Sequence, residues 1–124
     1  MQKKIYIDSV EKKEDGIYLI VQSHSFSLEN AKAKRYMLVD SDHLSFIYIM
    51  EVGDEFVYVV MPQHVWPNLK EAMLTNIPVF LKSNEVVIEL EGMKEELTYL
   101  IGNIKGNANY GDEMEKAVTE MFSV

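Results

Sequence analysis

Four consecutive residues, Asp40-Ser41-Asp42-His43, place two carboxylates, a hydroxyl and an imidazole in one short stretch. Such a set could ligate a divalent cation or orient a general base, because carboxylate oxygens and imidazole nitrogens serve both purposes. A calcium loop would need another oxygen ligand at its fifth position and then a glycine, where this chain has Leu44 and Ser45. That pattern fails, and any other cation would need a ligand from elsewhere in the chain. Asp and Ser between strands also shape turns by bonding backbone N–H groups, which is the simpler role. His24, His43 and His64 lie in separate segments with no HxxxH or HExxH spacing, so no metal set is assigned. No Gly-x-Ser-x-Gly elbow is present, and no catalytic residue is assigned, although a triad assembled in space stays open at this point.

The string Gly106-Asn107-Ala108-Asn109-Tyr110-Gly111-Asp112 has the glycine spacing of a phosphate loop. The lysine such a loop needs is replaced by Asp112, whose charge repels phosphate, and a helical pattern rather than a strand precedes it. Nucleotide binding is rejected and no cofactor is assigned. Glycines and asparagines here suit a helix end followed by a helix start, while Asn107, Asn109 and Tyr110 could also bond a peptide or polar ligand. Trp66, the single tryptophan, could anchor a partner or plug the end of a core. The candidate ligand or partner surface is therefore Asp40, Asp42, His43, His64, Trp66, Asn107, Asn109 and Tyr110. Methionine-rich surfaces can be adaptable binders, but Met73, Met93, Met114 and Met121 fall on predicted helix stripes, where they fill core.

These residues must be positioned by a chain of 124 residues, the size of one domain, read as 1–124, with 48% apolar and 26% charged residues. The absence of cysteine removes disulfides and thiolate chemistry and suits a reducing compartment. Asp8 and Ser9 interrupt the first apolar run, so no signal peptide is expected, and no run approaches the ~20 apolar residues of a membrane span. A cytoplasmic location and no membrane partner are expected. The net charge of −8 is uneven: residues 1–36 carry seven bases and five acids, whereas the other 88 carry five bases and fifteen acids. That balance argues against general nucleic-acid binding, which gains affinity by neutralising phosphates.

Periodicity predicts an α+β chain whose N-terminal two thirds form a mainly antiparallel sheet of about six or seven strands. Residues 4–10 and 17–21 alternate about a Glu14-Asp15-Gly16 turn and predict a first hairpin. Residues 22–35 are polar, and a ragged strand and a loop both fit. A short strand over 36–39 follows. Residues 44–50 and 56–61, joined at Gly53-Asp54, give the strongest hairpin signal and are apolar at both parities. A strand wet on one face should alternate, so this hairpin is either central and covered on both faces, the favoured reading, or has one face on another subunit. A short middle helix with Pro67 in its first turn precedes a last hairpin over 78–90, whose second strand puts Glu89 and Glu91 on an exposed edge. Met93, Leu97, Leu100, Ile101 and Ile104 form one helical stripe. Met114, Ala117, Val118, Met121 and Phe122 form another, with Asp112 and Glu115 spaced as a capping box. The two helices make a C-terminal αα-hairpin that must bury both stripes on the sheet or on a partner.

The segments Val39–Ile49, Trp66, and Ile88–Glu96 continuing through Gly106–Gly111 resemble an uncharacterised protein family (UPF) of bacilli and staphylococci, the YjbL-like family. The likeness runs nearly the whole chain and implies a short cytoplasmic protein of Gram-positive bacteria, with no assigned activity and no catalytic residues to carry over. Two functions are weighed. One is a non-catalytic protein-binding or regulatory module with an unknown protein partner, a homodimer being one form of it. The other is a small-ligand or metal binder, or a hydrolase, using Asp40, Asp42 and His43. Surplus apolar pattern without a catalytic constellation favours the first.

Overall fold

A computed structural model describes residues 3–21, 27–84 and 86–122. It is α+β, with eight strands and three α-helices among the described residues. The strands are β1 (Lys3–Tyr6), β2 (Ser9–Lys13), β3 (Gly16–Val21), β4 (Lys32–Asp40), β5 (Ser45–Val52), β6 (Glu55–Pro62), β7 (Val79–Ser83) and β8 (Val86–Glu89). The helices are α1 (Trp66–Thr75), α2 (Met93–Ile104) and α3 (Asp112–Phe122). The strands form two four-stranded sheets rather than one, in the orders β1-β6-β5-β4 and β2-β3-β7-β8. Pairing is mainly antiparallel; β1–β6 and β3–β7 are parallel.

The first predicted hairpin is divided between the sheets. Ser9–Lys13 pairs with β3 about the Glu14-Asp15 turn as the alternation predicts. Residues Lys3–Tyr6 leave it and run parallel to β6. The handover is visible in two backbone bonds: the Ile7 N–H donates to Val60 O at 3.4 Å, and the next N–H, on Asp8, donates to Ile20 O at 2.9 Å. Alternation identifies a strand but does not say which edge it joins. The strand predicted over 36–39 begins earlier, at Lys32, because a bulge between Ala33 and Met37 carries it past Arg35, whose φ is +56°. Of the undecided stretch, residues 22–26 lie outside the described residues, and Lys32 to Arg35 are strand.

The β5–β6 hairpin takes the two inner positions of the first sheet, with Gly53 at φ +61° making its turn. One continuous core joins the inward faces of both sheets to the three helices, from Ile5 on β1 to Phe122 on α3. Trp66 is fully buried in it, its ring centroid 5.1 Å from Phe46 and 5.8 Å from Phe122. Both C-terminal stripes are buried as predicted, through Met93, Leu97, Ile101 and Ile104 on α2 and Met114, Val118 and Phe122 on α3. Asp112 is the first residue of α3 rather than its cap: Gly111 O accepts the first helical bond, from Glu115 N at 3.0 Å. Its carboxylate still opposes the positive end of the helix dipole. β8 is an edge strand with Glu89 exposed, as the charge pattern predicts.

Tyr48 connects the first sheet to the chain beyond β8. Its side chain is fully buried, its hydroxyl donates to Glu91 O, and burial pushes its pKa up to about 12. Below about pH 10 both folded and unfolded chains keep this proton, so its contribution is fully present there. Between about pH 10 and 12 the unfolded chain loses the proton while the fold retains it, and stability falls as pH rises. The loss should be on the order of 1–2 kcal/mol, and denaturant midpoints against pH should be flatter over that range for Tyr48→Phe.

Candidate functional site

The first sheet has two apolar faces, and the main core takes only one. Phe46, Tyr48 and Met50 on β5 and Val57, Val59 and Met61 on β6 point into that core. The opposite parity forms a second, separate cluster of Ile47, Ile49 and Val60, with Leu38 and Tyr58 packed against it. Register aligns the rows: Ile47 faces Val60 and Leu38, Ile49 faces Tyr58, and on β1 Lys4 and Tyr6 lie beside Tyr58 and Val60. Among the described residues, no helix belongs to this cluster. Its centre, Ile47, Ile49 and Val60, is 5–8% exposed, whereas at its margin Tyr6 is 58% and Phe56 51% exposed. An apolar sheet face rimmed by exposed aromatics is the usual form of an interaction surface, since single apolar residues scatter but patches do not.

Charged groups rim the same face. A shallow hollow of about 350 Å³ is floored by Leu38, Ile47 and Tyr58 and flanked by Lys4, Asp40 and Asp42. At the other end of the sheet Lys34 Nζ lies 3.6 Å from Glu51 Oε1, and Lys32 is paired in register with Glu51. Asp40 and Asp42, predicted from a motif, thus border the surface predicted from the two-sided hairpin.

The other predicted residues do not join one site. Asp40 caps a 3₁₀ turn over Ser41–His43: one oxygen accepts from the His43 N–H at 3.3 Å, and the other lies 2.9 Å from His43 Nδ1. This is the turn-forming use of aspartate, and the imidazole it orients is exposed. The nearby hydroxyl of Ser45 donates to His43 O at 2.9 Å, so it is engaged with backbone rather than with the ring. No group of three or more His, Asp or Glu among the described residues is placed to hold a metal ion. His64 is exposed in a separate 3₁₀ turn, and His24 lies outside the described residues. Asn107 caps the 3₁₀ turn over Ala108–Tyr110 by accepting from Asn109 N at 3.0 Å, the structural use of the glycine-asparagine string. Tyr110 lines a different hollow, of about 280 Å³, with Tyr36, Val39, Tyr99 and Leu100 along the free edge of β4.

Of the two readings of Trp66, the core plug holds and its place in the candidate surface is corrected. It is not a surface anchor: its ring is fully buried and its Nε1–H donates to Met61 O at 3.1 Å. A buried indole that satisfies its one donor within the chain has no group left for a partner. Tyr6 and Phe56 are not among the candidate residues of the sequence, although their parity with Val60 and Tyr58 was the available signal. A further hollow of about 360 Å³ between α1 and α2, lined by Leu69, Met73, Ile77, Leu90 and Met93, also went unforeseen; Glu89, Glu91 and Glu95 stand around it.

Comparison with known proteins places the chain. The model of a family of unknown function, UPF0738, matches residues 5–122. The chain is 57% identical over 119 residues to a UPF0738 protein of Anoxybacillus flavithermus, covering 96% of this chain and 86% of that one. It is 49% identical over 122 residues to one of Geobacillus, covering 98% of each chain. It is 43% identical over 122 residues to one of Bacillus cereus, covering 98% of this chain and 99% of that one. No solved structure matches. No helix among the described residues is long and apolar enough to cross a membrane. The near-complete match to the family model, together with these bacillar relatives, establishes that the chain belongs to the UPF0738 family.

Proposed function

We propose that this chain is a non-catalytic protein-binding or regulatory module of the cytoplasm, whose working surface is the open face of the first sheet. The observation that carries the reading is the second apolar cluster, Ile47, Ile49 and Val60, to which no helix among the described residues belongs. Exposed Tyr6 and Phe56 on its margin are the side chains a partner would bury, since aromatics contribute large area at small entropy cost. Asp40, Asp42 and Lys4 supply the polar rim that orients the partner. The bonded Asp40–His43 pair would serve a hydrolase, but its imidazole is exposed and the adjacent hydroxyl is committed elsewhere.

The double substitution Tyr6→Ser with Phe56→Ser tests this. Both positions are more than half exposed, so stability should change by no more than about 1 kcal/mol in denaturant unfolding. Affinity for whatever protein the wild type retains from native cytoplasm, its own second copy included, should fall at least about tenfold. Identical retained proteins at identical affinity for wild type and double variant would end the proposal.

A further inference from the structure

The open face carries its own electrostatic complement. Three bases, Lys4, Lys32 and Lys34, and three acids, Asp40, Asp42 and Glu51, stand on or around it, so the face is neutral although the chain is −8. Along β4 the charges are sorted. β4 crosses the face from a basic end at Lys32 and Lys34 to an acidic end at Asp40, with Asp42 just beyond. Lys32 and Asp42 are both exposed, and neither forms an ion pair with another described residue. The rows between these ends are apolar: Ile49 with Tyr58, then Ile47 with Val60.

We infer that the occupant of this face is a second copy of the chain, packed sheet on sheet about a two-fold axis that runs across the strands between those two apolar rows. The inference rests on the open-face reading above. Such an axis sets the Ile47–Val60 row of one copy on the Ile49–Tyr58 row of the other, so apolar surface meets apolar surface. It brings the Lys32 end of each β4 over the Asp42 end of its partner, and this contact occurs twice because a two-fold interface is self-complementary. Tyr6 of each copy then meets Lys4 of the other, in reach of a cation–π contact. The alternative axis, along the strands, would lay β4 over β1. Lys32 and Lys34 would then approach Lys4. Like charges across an interface are repulsive, so the charge pattern selects the first arrangement over the second.

Charge exchange reads this out. By sedimentation velocity and light scattering over a concentration series, the wild type should pass from monomer to dimer. Lys32→Glu alone and Asp42→Lys alone should each weaken dimerisation about tenfold, the effect of reversing two screened contacts. Mixed one to one, the two variants should recover wild-type affinity as a heterodimer, resolved by native mass spectrometry, because each reversed charge then meets its opposite. Circular dichroism checks that these surface variants remain folded. A wild type that stays monomeric at the highest concentration, or variants whose mixing restores nothing, would overturn the two-copy arrangement. A monomer that loses a different captured protein on Tyr6→Ser with Phe56→Ser overturns the self-pairing and leaves the binding reading standing. A dimer indifferent to that double substitution overturns both.

Discussion

Trp66→Ala should lower the unfolding free energy by about 3–5 kcal/mol, the largest loss expected from any single truncation in this chain. Three terms add. The indole contributes apolar area at a position with no solvent exposure. It sits among aromatic neighbours, 5.1 Å from Phe46 on β5 and 5.8 Å from Phe122 on α3, while Phe46 and Phe122 meet edge to face at 6.1 Å. Removing it therefore opens a cavity exactly where strand, middle helix and last helix converge, and a rigid three-sided site cannot collapse to fill it. Finally, Met61 O loses the donor at 3.1 Å, leaving a buried carbonyl to find another partner. Urea denaturation monitored by circular dichroism measures the sum from the midpoint and slope. A loss below about 1 kcal/mol would place Trp66 on the surface in solution and reinstate it as a partner anchor.

Gly16→Ala should cost about 1–3 kcal/mol, although the residue has no positive φ and alanine is normally the better strand former. A Cβ built at this position would lie 2.7 Å from Pro78 O and 2.7 Å from Phe80 Cε2. The carbonyl cannot yield, because it accepts from Ile17 N at 3.0 Å at the start of the parallel β3–β7 ladder. Phe80 is held as well, stacked on Tyr18 with centroids 4.8 Å apart. The methyl group must therefore push β7 away from β3. Gly102→Ala on α2 supplies the contrast: nothing lies within 4 Å of its added Cβ, so that substitution should stabilise by about 0.5–1 kcal/mol through helix propensity alone. Parallel thermal or urea titrations of the two variants should move in opposite directions. Equal effects of the same sign would mean the β3–β7 contact is looser than the structure shows.

Much of the architecture was legible because it is written in periods. The i, i+4, i+7 stripes of α2 and α3, the Gly53 turn between β5 and β6, and the exposed Glu89 edge of β8 all follow from local chemistry. Sites were less legible, since the same residue types build turns and bind ligands. Asp40 and Asn107 were picked out for reactive potential and proved to cap 3₁₀ turns, each through a carbonyl-type oxygen bonded to a nearby backbone N–H. Trp66 was ambiguous for a similar reason, because a large amphipathic ring is equally at home in a core and in an interface.

The sequence alone determined the α+β class, the αα-hairpin and the two-sided apolar character of the β5–β6 hairpin, because each depends on the spacing of neighbours along one element. Only the tertiary structure decided that β1 leaves its hairpin for β6, and that the two faces of the first sheet belong to separate apolar clusters. The physical reason is that a period specifies which side chains share a face but carries no information on what that face meets; that depends on pairings between residues remote in the chain, such as Ile5 with Val59 and Leu19 with Leu81.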